Sequence, residues 1–388
     1  MSRHILNGGR AVIVGGGVIG ASIAFHLCER GYRDVTVVER GRPGEGATAY
    51  ATGGIRHQFS SRVNIELVHR SLPFWLDFAG RTGAPLDFRR HGYLFLISDP
   101  AALDAFTANA ALQRSLGVEV ELLDAGQAAE VFPGVRTDDL AGASYTAGDG
   151  SASPSDAVAG YLAAARRGGA EVRPRTTFLG LRTGPDGAVR GVRTSAGDLD
   201  AELVVLAAGP QAHAVGALCG VDLPVVPRPR QAFATAPLSG LHGGLPLAVD
   251  LATGAYLHPE PAGTAIVGGN DRDAASSETA RVDWSRVDAL AAALSHRFPS
   301  LEELEIVRGW AGLREMTPDD HAIVGPAEQV PGLWVAAGFS GHGFMQSPAV
   351  GAALAAWWLD GRPPLDLEPL RLSRFTDRTA SPLETTVF

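Results

Sequence analysis

An α/β fold of two domains is predicted, one built on a parallel sheet and the other on an antiparallel or mixed sheet. Three observations predict it. The stretch Ala11 to Gly20 reads AVIVGGGVIG, an apolar run of strand length that breaks into glycines and then opens a helical pattern. At 388 residues the chain exceeds the roughly 250 to 300 at which a single core stops growing, so a second domain is expected. Between Val225 and Arg308 the texture changes to short strands at Gln231 to Thr235, Gly254 to Leu257 and Thr264 to Gly268, followed by a helix near 283 to 296. That is antiparallel sheet with a covering helix.

The first stretch has the spacing of a Rossmann-type dinucleotide site. Ala11 to Val14 suits a buried parallel strand, and Gly15, Gly17 and Gly20 fall in the G-x-G-x-x-G register. Gly15 permits the tight turn, Gly17 lets a pyrophosphate approach the backbone, and Gly20 lets the helix lie close to the strand. Val18 and Ile19 open that helix, whose amino end attracts phosphate. A second strand, Val35 to Val38, delivers Glu39 and Arg40 about 20 residues on, where an acid accepts bonds from ribose hydroxyls and disfavours a 2′-phosphate. The alternative is a glycine turn that serves close packing alone.

The remaining elements follow in order. Gly41 to Gly54 is a glycine-rich loop placed to line the ligand. Ser61 to Phe78 has helical periodicity that Pro73 interrupts. Arg90 to Ile97 is a strand, and helices are expected at 101 to 116 and 126 to 131. Ser155 is expected to cap a helix reaching Arg167. Glu171 to Val172 is a strand, Gly184 to Gly187 a polar hairpin, and Leu203 to Ala207 a buried strand ending on the small residues Ala208 and Gly209. Strands near Gly309 and at Leu333 to Ala337 precede a helix from Ser347 to Leu359. Residues 1–85, 150–225 and 309–388 are thus assigned to the nucleotide domain, and 86–149 and 226–308 to the second domain.

Composition removes several classes. A net charge of −9 argues against nucleic-acid or anionic-membrane partners. Cys28 and Cys219 have neither metal nor redox spacing, so no metal is expected. No apolar run is long enough for a membrane span, and the opening lacks a signal peptide's apolar core, so a cytoplasmic location is expected. All 33 basic residues are arginine, which removes every mechanism that needs lysine.

Across nearly its whole length the chain resembles the flavin-dependent amine and amino-acid oxidoreductases that include glycine oxidase, D-amino-acid oxidase and sarcosine oxidase. The resemblance is carried by VIVGGGVIGASIAFHL, Glu39, ATAYATGGIRHQF, DGSASPSD, GAEV, LVVLAAGP, WAGLREMTPDDHAIVG and VAAGFSGHGF. It implies FAD in an extended pose under a capping sheet. Gly15, Gly17 and Gly20 would meet the pyrophosphate, Glu39 the ribose and the Val172 backbone the adenine. Thr48, Ala49, Gly53, Gly54, Ala208, Gly209 and Gly312 would lie along the cofactor. Gly338, Gly341, His342, Gly343, Phe344 and Met345 would approach the flavin's pyrimidine edge. Gly312 stands where sarcosine oxidase has its flavin-bonding cysteine, so the FAD is expected to be non-covalent. Met345 replaces a substrate-binding lysine, and the oxygen-activating lysine is absent, which leaves the acceptor open between oxygen and an electron-acceptor partner.

The resemblance implies oxidation of an amine or amino acid to an imine, with hydride passing to flavin N5. Arg314 matches the carboxylate anchor, a role that suits a planar guanidinium; the alternative is a surface pair with Glu315 or Asp319. Tyr256 matches a carboxylate-touching tyrosine or is a core aromatic. Arg56 and His57 match a pair beside the flavin or cap the following helix, and His342 orients flavin or amine or serves the turn. His258 and Asn270 are weaker candidates, and His321 reads as part of a salt-linked turn. Two other functions are weighed, a low-turnover flavoprotein acting as an assembly or complex partner and an NAD-linked dehydrogenase.

Overall fold

The computed structural model describes residues 9–269, 273–301, 304–377 and 383–386. Asn270 lies outside the described residues. Ala11–Val14 sits inside a six-stranded sheet ordered Ile323–Pro326, Leu333–Ala337, Leu203–Leu206, Ala11–Val14, Val35–Val38 and Glu171–Arg173. Every pairing is parallel except that of Ile323–Pro326 with Leu333–Ala337. The central strands are apolar throughout because both faces are covered. Ala11 and Ile13 pack under the helices Val18–Glu29, Pro154–Arg167 and Gly343–Asp360. Val12 and Val14 face the other way, onto a small sheet of Phe178–Thr183, Val189–Thr194 and Leu199–Asp200.

The second sheet has eight strands, ordered Ile306–Met316, Val226–Thr235, Ala265–Gly268, Tyr256–Pro259, Leu247–Asp250, Tyr93–Ile97, Gly142–Thr146 and Glu121–Leu123. Alternation divides its faces. Leu94, Leu96, Phe233, Leu257 and Val267 form a core with Leu290 and Leu294 of the helix Val287–Arg297. Tyr93, Phe95, Leu247 and Val249 lie on the opposite face, with Tyr256 packed beside them.

Several expectations are corrected. Ser153 rather than Ser155 caps the helix Pro154–Arg167, its hydroxyl accepting from the Asp156 N–H at 3.3 Å. Pro154 at the first helical position loses no hydrogen bond there, which fixes the start. The last long helix begins at Gly343 rather than Ser347, so its first turn lies in what reads as a glycine loop. The hairpin at 184–187 joins two full strands. The division expected at residue 309 falls within Ile306–Met316, an 11-residue strand paired along its length with Val226–Thr235. Leu247–Asp250 and Ile323–Pro326 are strands that local pattern did not single out.

Candidate active site

The nucleotide turn forms as its residues dictate. Gly15 has φ +115°, and a Cβ on it would lie 2.2 Å from the Ala207 carbonyl oxygen. A Cβ on Gly20 would lie 2.0 Å from the Gly15 oxygen, so strand and helix meet backbone to backbone. Gly17 precedes the helix with no side-chain cap, and the Val18 N–H donates to the Thr48 hydroxyl at 3.1 Å. Glu39 is fixed by two backbone donors, Gly16 N–H and Gly41 N–H, each at 2.8 Å.

Above this turn lies a cavity of about 490 Å³. Gly15, Gly17, Val18, Ile19, Glu39, Arg40, Thr48, Ala208 and Gly209 line it. So do Leu313, Arg314, Glu315, Gly341, Gly343 and Phe344. A helix amino end beside a bare glycine backbone, with an oriented carboxylate on the next strand, is the donor set an anionic dinucleotide with free ribose hydroxyls requires. The residues therefore fit FAD.

A second cavity of about 130 Å³ adjoins it under the eight-stranded sheet, sharing Ala51, Arg314, Gly341 and Phe344 with the first. Gly53, Gly54, Arg56, Tyr93, Arg230, Leu247, Val249, Tyr256, His342 and Met345 are among its other lining residues. Register explains much of this grouping: Arg228 faces Arg314, and Arg230 faces Gly312, across the two longest strands. Arg56 is buried, lies 4.2 Å over the Phe59 ring, and donates to the Gln58 and Thr386 carbonyls. Burial pushes His342 well below the usual imidazole range, and its Nε2 has no partner in the described chain. Its ring stands edge-on to Phe59 at 4.8 Å.

Other candidates fall outside both cavities. His57 is buried and holds Asp149 at 2.5 Å through Nδ1. His258 bonds the Ser151 hydroxyl at 3.1 Å, and burial pushes it down to about 3. Val172 is paired with Val37, and Thr176, Thr177 and Phe178 line the cavity instead. Ala49 is exposed on a short 3-10 turn, Gly20 serves helix packing, and Gly338 turns the loop at φ +72°. Gly312 lies against Tyr50, whose Cβ would be 2.5 Å from a Cβ added there. His321 belongs to a salt-linked turn, in which Arg374 binds Asp319 at 2.8 and 3.0 Å. Arg314 itself lines both cavities, and its neighbour Glu315 accepts from the Gly338 N–H at 2.9 Å.

Glu315, which the sequence suggests only as a partner for Arg314, also lines the larger cavity. Burial pushes its carboxyl up to about 7, against the opposing pull of the Gly338 and Phe339 N–H groups, and what exposure it keeps is consistent with its place on the cavity wall.

The chain belongs to the FAD dependent oxidoreductase family, whose model matches residues 10–357. It is an FAD-dependent oxidoreductase, and relatives it resembles are named as oxidases and dehydrogenases of amino acids. Glycine oxidase of Geobacillus kaustophilus is 32% identical over 370 residues, covering 93% of this chain and 96% of that protein. Mitochondrial dimethylglycine dehydrogenase of Mus musculus is 28% identical over 383 residues, 94% of this chain, and this chain spans 44% of that longer protein. Among solved structures, L-proline dehydrogenase from P. horikoshii superposes with a TM-score of 0.89 at 30% identity, covering 96% of this chain and 99% of that one. No helix among the described residues is long and apolar enough to cross a membrane.

Proposed function

We propose that the protein oxidises an α-amino acid or N-alkyl amino acid to the corresponding imine. The observation that carries this reading is the position of Arg314 on the wall of both cavities, where a carboxylate on the guanidinium leaves the adjoining α-carbon next to the cofactor cavity. Bound FAD supplies a hydride acceptor. The chain supplies the rest. Arg314 binds the substrate carboxylate through paired N–H groups, and Tyr256 offers its hydroxyl on the same wall. Leu247, Val249, Phe344 and Met345 displace water around the reacting carbon. Among the described lining residues of the smaller cavity there is no carboxylate to hold an ammonium ion, which favours entry of the neutral amine that hydride loss requires. His342, kept neutral by burial, can accept from the amine without taking charge.

Anaerobic mixing with D- and L-amino acids, glycine, sarcosine and cyclic amines tests this. Bleaching of the flavin absorbance at about 450 nm by a carboxylate-bearing amine is expected. Failure of every member of the panel to bleach it overturns the reading.

A further inference from the structure

Segment 383–386 packs against the loop Arg56 to Ser61, 324 residues away along the chain. Its Glu384 side chain is buried and accepts from five donors of the 60–64 segment: Ser60 N–H at 2.7 Å, Ser60 hydroxyl at 2.5 Å, Ser61 N–H at 3.1 Å, Ser61 hydroxyl at 2.8 Å and Asn64 amide at 3.0 Å. Ser61 is the residue that precedes the helix Arg62–Leu76, and its own side chain does not cap that helix. Glu384 caps it from a distance instead. Burial works to raise this carboxyl, but the bonds from Ser60 and Asn64 outweigh it and hold Glu384 down to about 2.

The same carboxylate reaches the substrate cavity by two routes. Asn64 accepts at 3.0 Å from Gln346, which lies one turn into the helix that His342 introduces. Two residues beyond Glu384, the Thr386 carbonyl accepts from the Arg56 guanidinium, and the Thr386 N–H donates to Glu384 at 3.1 Å. Thr385 N–H donates to the Ser60 hydroxyl at 2.9 Å, which closes the turn. Arg56 and His342 both stand on the cavity wall.

We infer that Glu384 is a positioning residue for the substrate site: by binding Ser60, Ser61 and Asn64 it places the Thr386 carbonyl that aims Arg56 and steadies the helix start beneath His342. A group that must hold a guanidinium in one rotamer needs a partner fixed to a fraction of an ångström. Glu384 fixes that partner with bonds to three residues of another segment. The inference rests on the proposed carboxylate-binding cavity, and its test separates the two.

The probe is benzoate, read by its perturbation of the flavin spectrum in the FAD-loaded protein, with benzamide as a neutral companion of the same shape. Glu384→Gln keeps the side chain's size and places an amide among donors. Its benzoate Kd is expected to rise about tenfold with benzamide binding unchanged. A flavin-loaded Glu384→Gln protein that binds benzoate like the parent, or that loses both probes equally, overturns the inference in favour of a purely structural role. Should that variant fail to hold flavin, Ser61→Ala removes one donor and leaves the carboxylate in place. A rise of about twofold to threefold for benzoate alone is expected there, and no rise overturns the inference. If the parent binds benzoate in this Glu384-dependent way but no amine reduces its flavin, the proposed function fails and the positioning role stands. If amino acids reduce the flavin and benzoate affinity ignores Glu384, only the positioning role fails. A parent protein that does not bind benzoate overturns both.

Discussion

Arg314 carries the sharpest consequence at the level of single residues. A charged hydrogen bond of this kind is worth about 1.5 to 3 kcal/mol, so Arg314→Ala should lower kcat/KM for amino acids by roughly 10- to 150-fold. Simple amines without a carboxylate should lose far less, and equal losses measured in steady-state assays would remove the anchor. Glu315 makes a prediction of a different kind. Its folded value of about 7 lies above its ordinary 4.5, so the folded protein holds a proton that the unfolded chain releases between those values. Stability therefore falls as pH rises from about 4.5 to about 7, and thermal melts of the parent should lose ground to Glu315→Gln across that window. Arg314 was legible because WAGLR carries a family resemblance. The place of Glu315, its neighbour, on the cavity wall was not, since the N–H groups that hold it belong to residues 338 and 339.

Among the elements, the strand, turn and helix from Ala11 to Glu29 were readable because every cue lies within twenty residues: apolar run, spaced glycines, periodic face. The cap strands were only partly readable. Val226–Thr235 contains prolines at 227 and 229 and arginines at 228 and 230, a composition that resembles loop until the partner strand supplies the pairing. The helix crossing of Val18–Glu29 with Gly343–Asp360 gives a test at this scale. A Cβ on Gly351 would lie 2.3 Å from the Ser22 hydroxyl and 2.8 Å from the Ser22 carbonyl carbon, and that hydroxyl is already committed to the Ser347 carbonyl at 2.6 Å. Gly351→Ala should therefore destabilise by about 1 to 3 kcal/mol, seen as a lowered denaturant midpoint with an unchanged slope.

For the molecule as a whole, FAD is expected to act as a folding ligand, because its cavity is lined by residues of both large sheets. Stripping it should lower the melting temperature, and adding it back at a hundredfold excess over Kd should restore about 2.7 kcal/mol. A melting temperature indifferent to FAD would contradict the assigned cavity. With Gly312 packed against Tyr50 and no cysteine among the described lining residues of either cavity, acid precipitation should leave the flavin in the supernatant. Flavin pelleting with the protein would show a covalent link.

The strand order carries one more consequence. Tyr93–Ile97 runs parallel to Leu247–Asp250, and Ala11–Val14 lies beside Leu203–Leu206, so each sheet is woven from early and late sequence. No contiguous gene fragment encodes one sheet complete without carrying strands of the other. A protease that nicks one surface loop should thus leave two pieces that stay interlocked and yellow, and two separately expressed halves should recover flavin only when they refold together.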